Sequence, residues 1–462
     1  MIAYSGYDEL IAKVYAHNQE HVFAYWDDLS DENRLALLKD LADVDFSLME
    51  NLFAGRDSAA AVEEFSPAEY IPYPAGEAAS PELAAQWKAA EKAGDAVIRQ
   101  GKVAAFIVAG GQGSRLGFDG PKGMFPTASV SGKTLFQLHG EKLLKTSMKY
   151  GVAVPWLIMT SQLNHETTAA YFAKMKNFGL DERDVFIFPQ NMIPSLDANG
   201  KLLLASPHSL FRNPDGHGGS LAALKTSGVL EEMRRRGIEL ISYFQVDNPL
   251  IKIIDPAFIG FHTLRGAQAS SKAIKKVSAN EKVGVFVRFI GGAVGVVEYS
   301  DLPASKAEEH TATGELAYCM GSTAIHIFNL DFIDELTQMD KLSLPYHTAR
   351  KKIAVFVGCG TEDVSGLKFE KFVFDALPLA KKSIVLETLR EEEFAPVKNA
   401  TGADSLATCQ ELMNNLYRRW LAERGVDVPR QTQYVEISPL TAIEASDIPS
   451  DIVVPPEEKV LL

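Results

Sequence analysis

The chain is poor in cysteine, short of positive charge and without long apolar runs, and each shortage narrows what its 462 residues can do. Three cysteines, Cys319, Cys359 and Cys409, are too few and too scattered for a disulfide scaffold or a cysteine-rich zinc site, so a reducing, cytoplasmic compartment is expected. No apolar stretch approaches the ~20 residues that cross a bilayer. The opening MIAYSGYDELIAK also lacks a basic segment followed by an apolar one, and no membrane partner is expected. Against 60 Asp and Glu stand 46 Lys and Arg, leaving a formal charge of -14. That balance argues against the basic field that nonspecific nucleic-acid binding needs. A small anionic ligand stays admissible, because a local cluster of cations and backbone N–H groups outweighs a distant surface field.

What is present is ordinary globular material, 46% hydrophobic, in a chain long enough for one large central domain with smaller flanking parts. From Leu10 to Leu48 apolar residues recur at helical spacing, with Ser30 and Ser47 as caps and Glu50 three residues beyond the second. Four prolines between Phe65 and Leu83 predict an extended stretch, and Ser80-Pro81 opens a further helix towards Gln100. From Val103 the pattern changes. VAAFIV, VPWLIM, DVFIF and IELISYFQV read as buried parallel strands, separated by helices over 134–149, 165–178 and 219–236. Such alternation predicts a doubly wound α/β sheet that binds ligands beyond the carboxyl ends of its strands. KVGVFVRFIGGAVGVVEYS predicts an antiparallel pair turning near Gly291-Gly292. A helix over 405–423 and a Pro- and Val-rich tail follow. The expected division is a helical region over 1–100, a central α/β domain over 101–380 and a small C-terminal domain over 381–462.

The most informative segment is FIVAGGQGSRLGFDGPKGMFP, from Phe106. A strand ends near Ala109, and Gly110, Gly111 and Gly113 let the main chain turn tightly and approach a ligand. Such a loop offers consecutive N–H groups to an anion, with Arg115 and Lys122 adding charge. Glycines alone would equally serve a tight turn, and the two cations a solvated surface pair. The loop lacks the terminal lysine of a Walker A sequence, and Gly111, Gly113 and Gly117 miss the last GxGxxG spacing by one. A triphosphate whose pyrophosphate leaves suits the two basic residues, which would stabilise the charge developing on it.

GGQGSRLGFDGPKG resembles the signature loop of the UDP-sugar pyrophosphorylases, and the chain is most similar to their UDP-N-acetylhexosamine branch. HVFAYWDDL, MTSQLNHETTAAYF, IFPQNMIPSLD, PDGHGG, QVDNPLIKIIDPAFIGFH, LPYHTARKKI, LKFEKFVFD and LREEEFAPVKNA carry the resemblance over residues 21–400. It implies a glycosyltransferase-A-like, Rossmann-like mixed sheet between a helical N-terminal part and a small C-terminal part. The implied activity is uridylyl transfer from UTP to a sugar 1-phosphate, with N-acetylglucosamine 1-phosphate favoured over glucose 1-phosphate.

By the same resemblance Gly110 and Gly111 touch the uracil or ribose, Arg115 and Lys122 face the phosphates, and Gln190 reads the uracil edge. Gly216 and His217 form the next contact, and Phe372 and Phe374 lie near an acetyl pocket, where core packing is the competing reading. Asp247 ends the apolar ISYFQVD, where a carboxylate is costly unless paired, capping or on a cation. The family pattern gives it Mg²⁺, with Asn248 beside it at the sugar phosphate or ribose. Lys398 would reach the phosphates from the second domain. His326 and the Tyr346-His347 pair match family positions without an assignable role.

Two departures bear on the sugar. His217 stands where the N-acetylhexosamine branch is expected to have asparagine, while Gly219 departs from the aspartate of the glucose and broad-specificity branches. Ser322 and Ile325 also replace expected asparagines. Two other classes compete: a dinucleotide-dependent oxidoreductase, disfavoured by the glycine spacing, and a nucleotide-binding regulatory protein, disfavoured by intact Arg115, Lys122, Asp247 and Lys398.

Overall fold

The computed structural model describes residues 2–56, 64–75, 80–338, 344–358 and 360–462. Their contacts gather into two units. One comprises residues 1–63, 190–220 and 344–373, and the other residues 64–189, 221–343 and 374–462.

The larger unit is built on a ten-stranded mixed sheet. Its parallel part runs Leu240–Gln245, Val103–Val108, Trp156–Thr160, Val185–Pro189, in the register expected for doubly wound strands. Val103–Phe106 and Trp156–Thr160 are buried throughout, which is why their sequences read as continuous apolar runs rather than alternating ones. Met320–Asn329 pairs antiparallel with Leu240–Gln245 and with Ala269–Lys275, and Ser383–Glu387 extends the sheet in parallel beyond the latter. Val285–Phe289 and Val294–Val297 form the antiparallel pair expected around Gly291-Gly292. The proline-rich stretch contributes an edge strand, Phe65–Pro67, against Val285–Phe289.

Helix boundaries follow local chemistry. Ser80 caps the helix Pro81–Arg99 by accepting from Leu83 N, with proline in the first turn. Thr134 caps Leu135–Tyr150 in the same way. The helix expected over 219–236 is broken at Gly228 (φ 77°) into Ser220–Thr226 and Val229–Arg235. The one expected over 165–178 stops at Lys174, because Asn177 and Phe178 are left-handed. Ser405 and Thr408 form a reciprocal capping box on Leu406–Glu423. That helix buries Cys409, Met413, Leu416 and Leu421 in a cluster with Leu138, Leu250 and Val435. Burial also pushes the Cys409 thiol up. Tyr434–Glu436 and Lys459–Leu461 pair beside it in parallel. Cys359 lies outside the described residues.

The smaller unit packs the helices Asp8–Ala16, Asp31–Ala42 and Phe46–Gly55 with a long hairpin, His347–Val357 and Gly360–Glu370. Leu37, Leu38, Leu41, Phe46, Leu367 and Phe369 share one core there. Ser30 caps the second helix as expected. The third is capped by Asp45, which accepts from Leu48 N at 2.9 Å, and not by Ser47, which sits one residue inside the helix. The hairpin escapes sequence reading because its lysine-rich first strand exposes Arg350, Lys351 and Lys352 in succession.

In the larger unit Pro81–Arg99 and Pro256–Arg265 meet main chain to main chain. A Cβ at Gly260 would lie 1.7 Å from the Ala90 carbonyl oxygen, and one at Gly94 would lie 1.8 Å from that of Pro256. Neither backbone can yield without parting the helices. Gly260→Ala is therefore expected to destabilise by about 1–3 kcal/mol or more, the range for overpacked cores. Urea unfolding measures it, and an unchanged midpoint would contradict the contact.

Candidate active site

Three parallel strands, Val103–Val108, Trp156–Thr160 and Leu240–Gln245, deliver three loops to their common carboxyl end. The glycine loop closes on itself there. Gly113 N donates to Gly120 O at 2.9 Å, Lys122 N to Gly111 O at 3.0 Å, and Leu116 N to Gly113 O at 2.8 Å. Gly117 takes a left-handed φ of 69°. Among the described residues the N–H groups of Gly110, Gly111 and Gln112 donate to no main-chain carbonyl.

Asn164, fully buried in the second loop, fixes the base of the first. Its Nδ2 donates to Ala109 O at 3.0 Å and to Gly111 O at 3.4 Å, while Oδ1 accepts from Ser161 N at 2.8 Å. Sequence reasoning passed over this residue. Its signal is its place just before the helix His165–Lys174, where an asparagine reads as a cap, yet it makes no cap hydrogen bond.

The third loop brings Asp247 towards the glycine loop. Lys122 Nζ stands 3.7 Å from Asp247 Oδ2, with both side chains about nine-tenths buried. Arg115 is exposed on the same loop. Asp247 and Asn248 line a cavity of about 590 Å³ together with Ser322, Ile325 and Lys398. Lys398 is over a third exposed; its Nζ is 3.8 Å from Asp404 Oδ2 and lies over the Phe394 ring. Asn248 is committed to protein: Oδ1 accepts from Ala395 N at 3.0 Å and Nδ2 donates to Glu393 O at 2.6 Å.

The cavity wall at Ser322 is a bulge. Ser271 pairs with His326 and Ala273 with Ser322, so three residues face Lys272 alone, and Ala324 takes φ 55°. His326 itself is a core residue, its Nδ1 2.8 Å from Ser271 Oγ and its ring against Tyr243 and Phe328. Phe374 is buried in the turn Val373–Leu379.

No cluster of three or more His, Cys, Asp or Glu side chains capable of holding a metal occurs among the described residues. A protein-only metal cage is thus not built here. Mg²⁺ commonly takes one or two carboxylates and completes its shell with substrate phosphates and water. A single buried carboxylate on a cavity, as at Asp247, fits that donor set.

In the smaller unit Gln190 is buried, and PDGHGG threads against the end of the hairpin. Gly218 N donates to Lys371 O and Lys371 N to Asp215 O, both at 2.8 Å. A Cβ at Gly216 would lie 2.4 Å from Lys371 O. One at Gly219 would lie 2.0 Å from the Asp215 carboxylate, so a side chain there would displace it. His217 Nδ1 accepts from Val373 N at 3.2 Å, and its ring stacks on Phe372, which stacks in turn on His347 at 4.3 Å. Burial, then the neighbouring His347, pulls the His217 imidazole down to about 4. At neutral pH it is an uncharged ring with Nε2 protonated, set by the Val373 hydrogen bond.

Beside this stack Asp215 is pushed up to about 7 by burial, against the opposing pull of Lys371. Burial pulls Lys371 down, and Lys371 Nζ lies 4.3 Å from the centroid of the Tyr346 ring. Both partners shift towards neutrality, so desolvation outweighs their attraction. Tyr346 is raised to about 12 by burial and by Asp215 and Asp45.

Parallel strands ending in a closed glycine loop, with a lysine facing a lone buried carboxylate, define a Rossmann-like nucleotidyltransferase. The chain belongs to the UDP-sugar pyrophosphorylase family: the family model for UTP–glucose-1-phosphate uridylyltransferase matches residues 74–438. It is 36% identical over 468 residues to UDP-N-acetylglucosamine diphosphorylase 2 of Arabidopsis thaliana, covering 96% of this chain and 91% of that one. Against the UDP-N-acetylglucosamine pyrophosphorylase of Saccharomyces cerevisiae the identity is 36%, over 74% of each chain. The crystal structure of the uridine diphosphate N-acetylglucosamine pyrophosphorylase of Trypanosoma brucei with an inhibitor superposes with TM-score 0.83 at 29% identity, covering 97% of this chain and 95% of that one. The protein is accordingly an enzyme, a uridylyltransferase of the UDP-sugar pyrophosphorylase type acting on UTP and a sugar 1-phosphate. No helix among the described residues is long and apolar enough to cross a membrane.

Asp215 gives the site a pH signature. Its folded-state value exceeds the usual carboxylate value of about 4, so its stabilising contribution is complete below that value and is lost as pH rises through about 7. His217 runs the other way, losing stability as pH falls from about 6.5 to about 4. Comparing Asp215→Asn with the parent cancels His217. The variant's melting temperature is expected to gain on the parent between pH 5 and pH 8, as calorimetry would read; a constant difference would refute the assignment.

Proposed function

We propose that the enzyme joins UTP to N-acetylglucosamine 1-phosphate, with Mg²⁺, to form UDP-N-acetylglucosamine and pyrophosphate. The observation that carries this reading is the pairing of Lys122 with Asp247 at 3.7 Å, where Asp247 lines a cavity that Lys398 also lines. The preference for an N-acetylated sugar rests on the relatives named above.

The chemistry needs no protein nucleophile. An oxygen of the sugar 1-phosphate attacks the α-phosphorus in line, a new P–O bond forms, and the bond to the β-phosphate oxygen breaks to release pyrophosphate. Two anions that repel must be held together while charge moves onto the leaving group. Lys122 and Arg115 neutralise the triphosphate from the glycine loop, whose Gly110 and Gly111 N–H groups approach the nucleotide. Lys398 supplies the third cation. Asp247 would hold Mg²⁺, which supplies Lewis-acid charge on the phosphate oxygens. Gln190 reads the uracil edge. Gly216 and His217 form the next contact, beside Phe372, with Phe374 lining the acetyl group. Asn248 acts through the 393–395 main chain that it holds.

A second reading is favoured by His217 and Ser322: neither is the amide expected for an N-acetylated sugar, and glucose 1-phosphate is the alternative substrate. Pyrophosphate release from UTP across glucose, galactose, N-acetylglucosamine and N-acetylgalactosamine 1-phosphates decides between them. The expected result is the highest kcat/KM for N-acetylglucosamine 1-phosphate, and a preference for glucose 1-phosphate would replace it.

Lys122→Ala is expected to lower kcat by roughly 10²–10³-fold, as for loss of one charge-stabilising donor in a water-poor site. Asp247 lines a cavity in which water can replace part of the lost ammonium, so a moderate fall in melting temperature with retained folding is expected. A folded variant with full turnover would remove Lys122 from the mechanism.

A further inference from the structure

The segment that carries Lys398 is tied down at almost every residue. Glu393 O accepts from Asn248 Nδ2 at 2.6 Å, Ala395 N donates to Asn248 Oδ1 at 3.0 Å, and Val397 N donates to Asp247 O at 2.9 Å. Lys398 N then donates to Asp404 O at 2.7 Å. The main chains on either side of the cavity are thereby laced together.

The lacing is anchored on a buried ion pair. Glu393 is 2% exposed and Lys272 1%. Both Glu393 oxygens approach Lys272 Nζ, at 2.6 and 2.5 Å, and Oε1 also accepts from Thr388 Oγ1 at 2.8 Å. Lys272 is shared with Asp255, at 2.6 Å, whose carboxylate also caps the helix Pro256–Arg265 by accepting from Ala257 N. A buried pair of this kind contributes little net stability compared with an apolar pair of the same shape; what it supplies is one defined arrangement. Lys272 lies on Ala269–Lys275, directly across from the bulge of the cavity wall.

We infer that Glu393, seated on Lys272, is a positioning residue that sets Lys398 opposite Asp247 for phosphate binding. The inference rests on the role proposed above for Lys398. Glu393 touches no substrate. It fixes the carbonyl that orients Asn248, and Asn248 fixes the peptide that leads to Val397 and Lys398.

Glu393→Gln tests it, because Lys272 keeps Asp255 and is not left as an orphaned charge. Two readouts are expected. In hydrogen exchange, the Ala395 and Val397 amides should exchange at least about tenfold faster, while those of Val103–Val108 stay unchanged. In turnover, kcat should fall about tenfold with KM for UTP held within about twofold. The double variant with Lys398→Ala should be no slower than Lys398→Ala alone, since both remove one function. Unchanged exchange at the two amides, or losses that multiply in the double variant, would overturn the inference. Should Glu393→Gln not fold, Thr388→Val removes one donor to the carboxylate and should speed exchange at the same amides by about threefold; no change there would also overturn it. If the parent enzyme releases no pyrophosphate with any sugar phosphate, the functional reading falls and the exchange measurement decides the positioning role alone.

Discussion

The arrangement depends on one constraint: a carboxylate and an ammonium must face each other, nearly dry, without closing into a contact pair. At 3.7 Å, Lys122 and Asp247 form a loose ion pair that couples the glycine loop to the end of the neighbouring strand. In so poorly hydrated a setting each charge acts far more strongly than at the surface. The rest of the larger unit serves that spacing. Lys122 is held by the self-closing glycine loop, the loop by Asn164, and Asp247 by the parallel strand Leu240–Gln245 on one side and Val397 on the other.

A different economy governs the smaller unit. Its residues act through shape and neutrality: His217, Asp215 and Lys371 are all displaced towards their uncharged forms. Stacked rings and glycines pressed against main chain leave little freedom there.

Much of this was legible beforehand, for physical reasons that differ by element. The four parallel strands announced themselves because burial on both faces leaves them almost wholly apolar. Ser30 and Ser80 marked helix starts because a side-chain acceptor there satisfies an otherwise orphaned N–H. Ser47 misled, because Asp45 lay two residues upstream with the same capacity. Gly228 broke a helix whose apolar spacing continued through it. The glycine loop and Asp247 stood out by composition, and their mutual approach was the expectation for loops at one sheet end. Asn164, Lys272 and Glu393 were not legible: their partners lie at sequence separations of 53, 55 and 121 residues, and nothing local distinguishes a buried lysine from an exposed one. Asn248, read as a ligand contact, makes its hydrogen bonds with Glu393 and Ala395.

The bulge at Ser322–Ile325 has a consequence for how such a cavity changes over time. Its extra residues are taken up opposite Lys272, and the ladder resumes in register at His326. Side chains at 322–325 can therefore be exchanged without sliding the strand or turning its core face outward. Point substitution at that wall can reshape the cavity lining while the strand keeps its pairing with Ala269–Lys275.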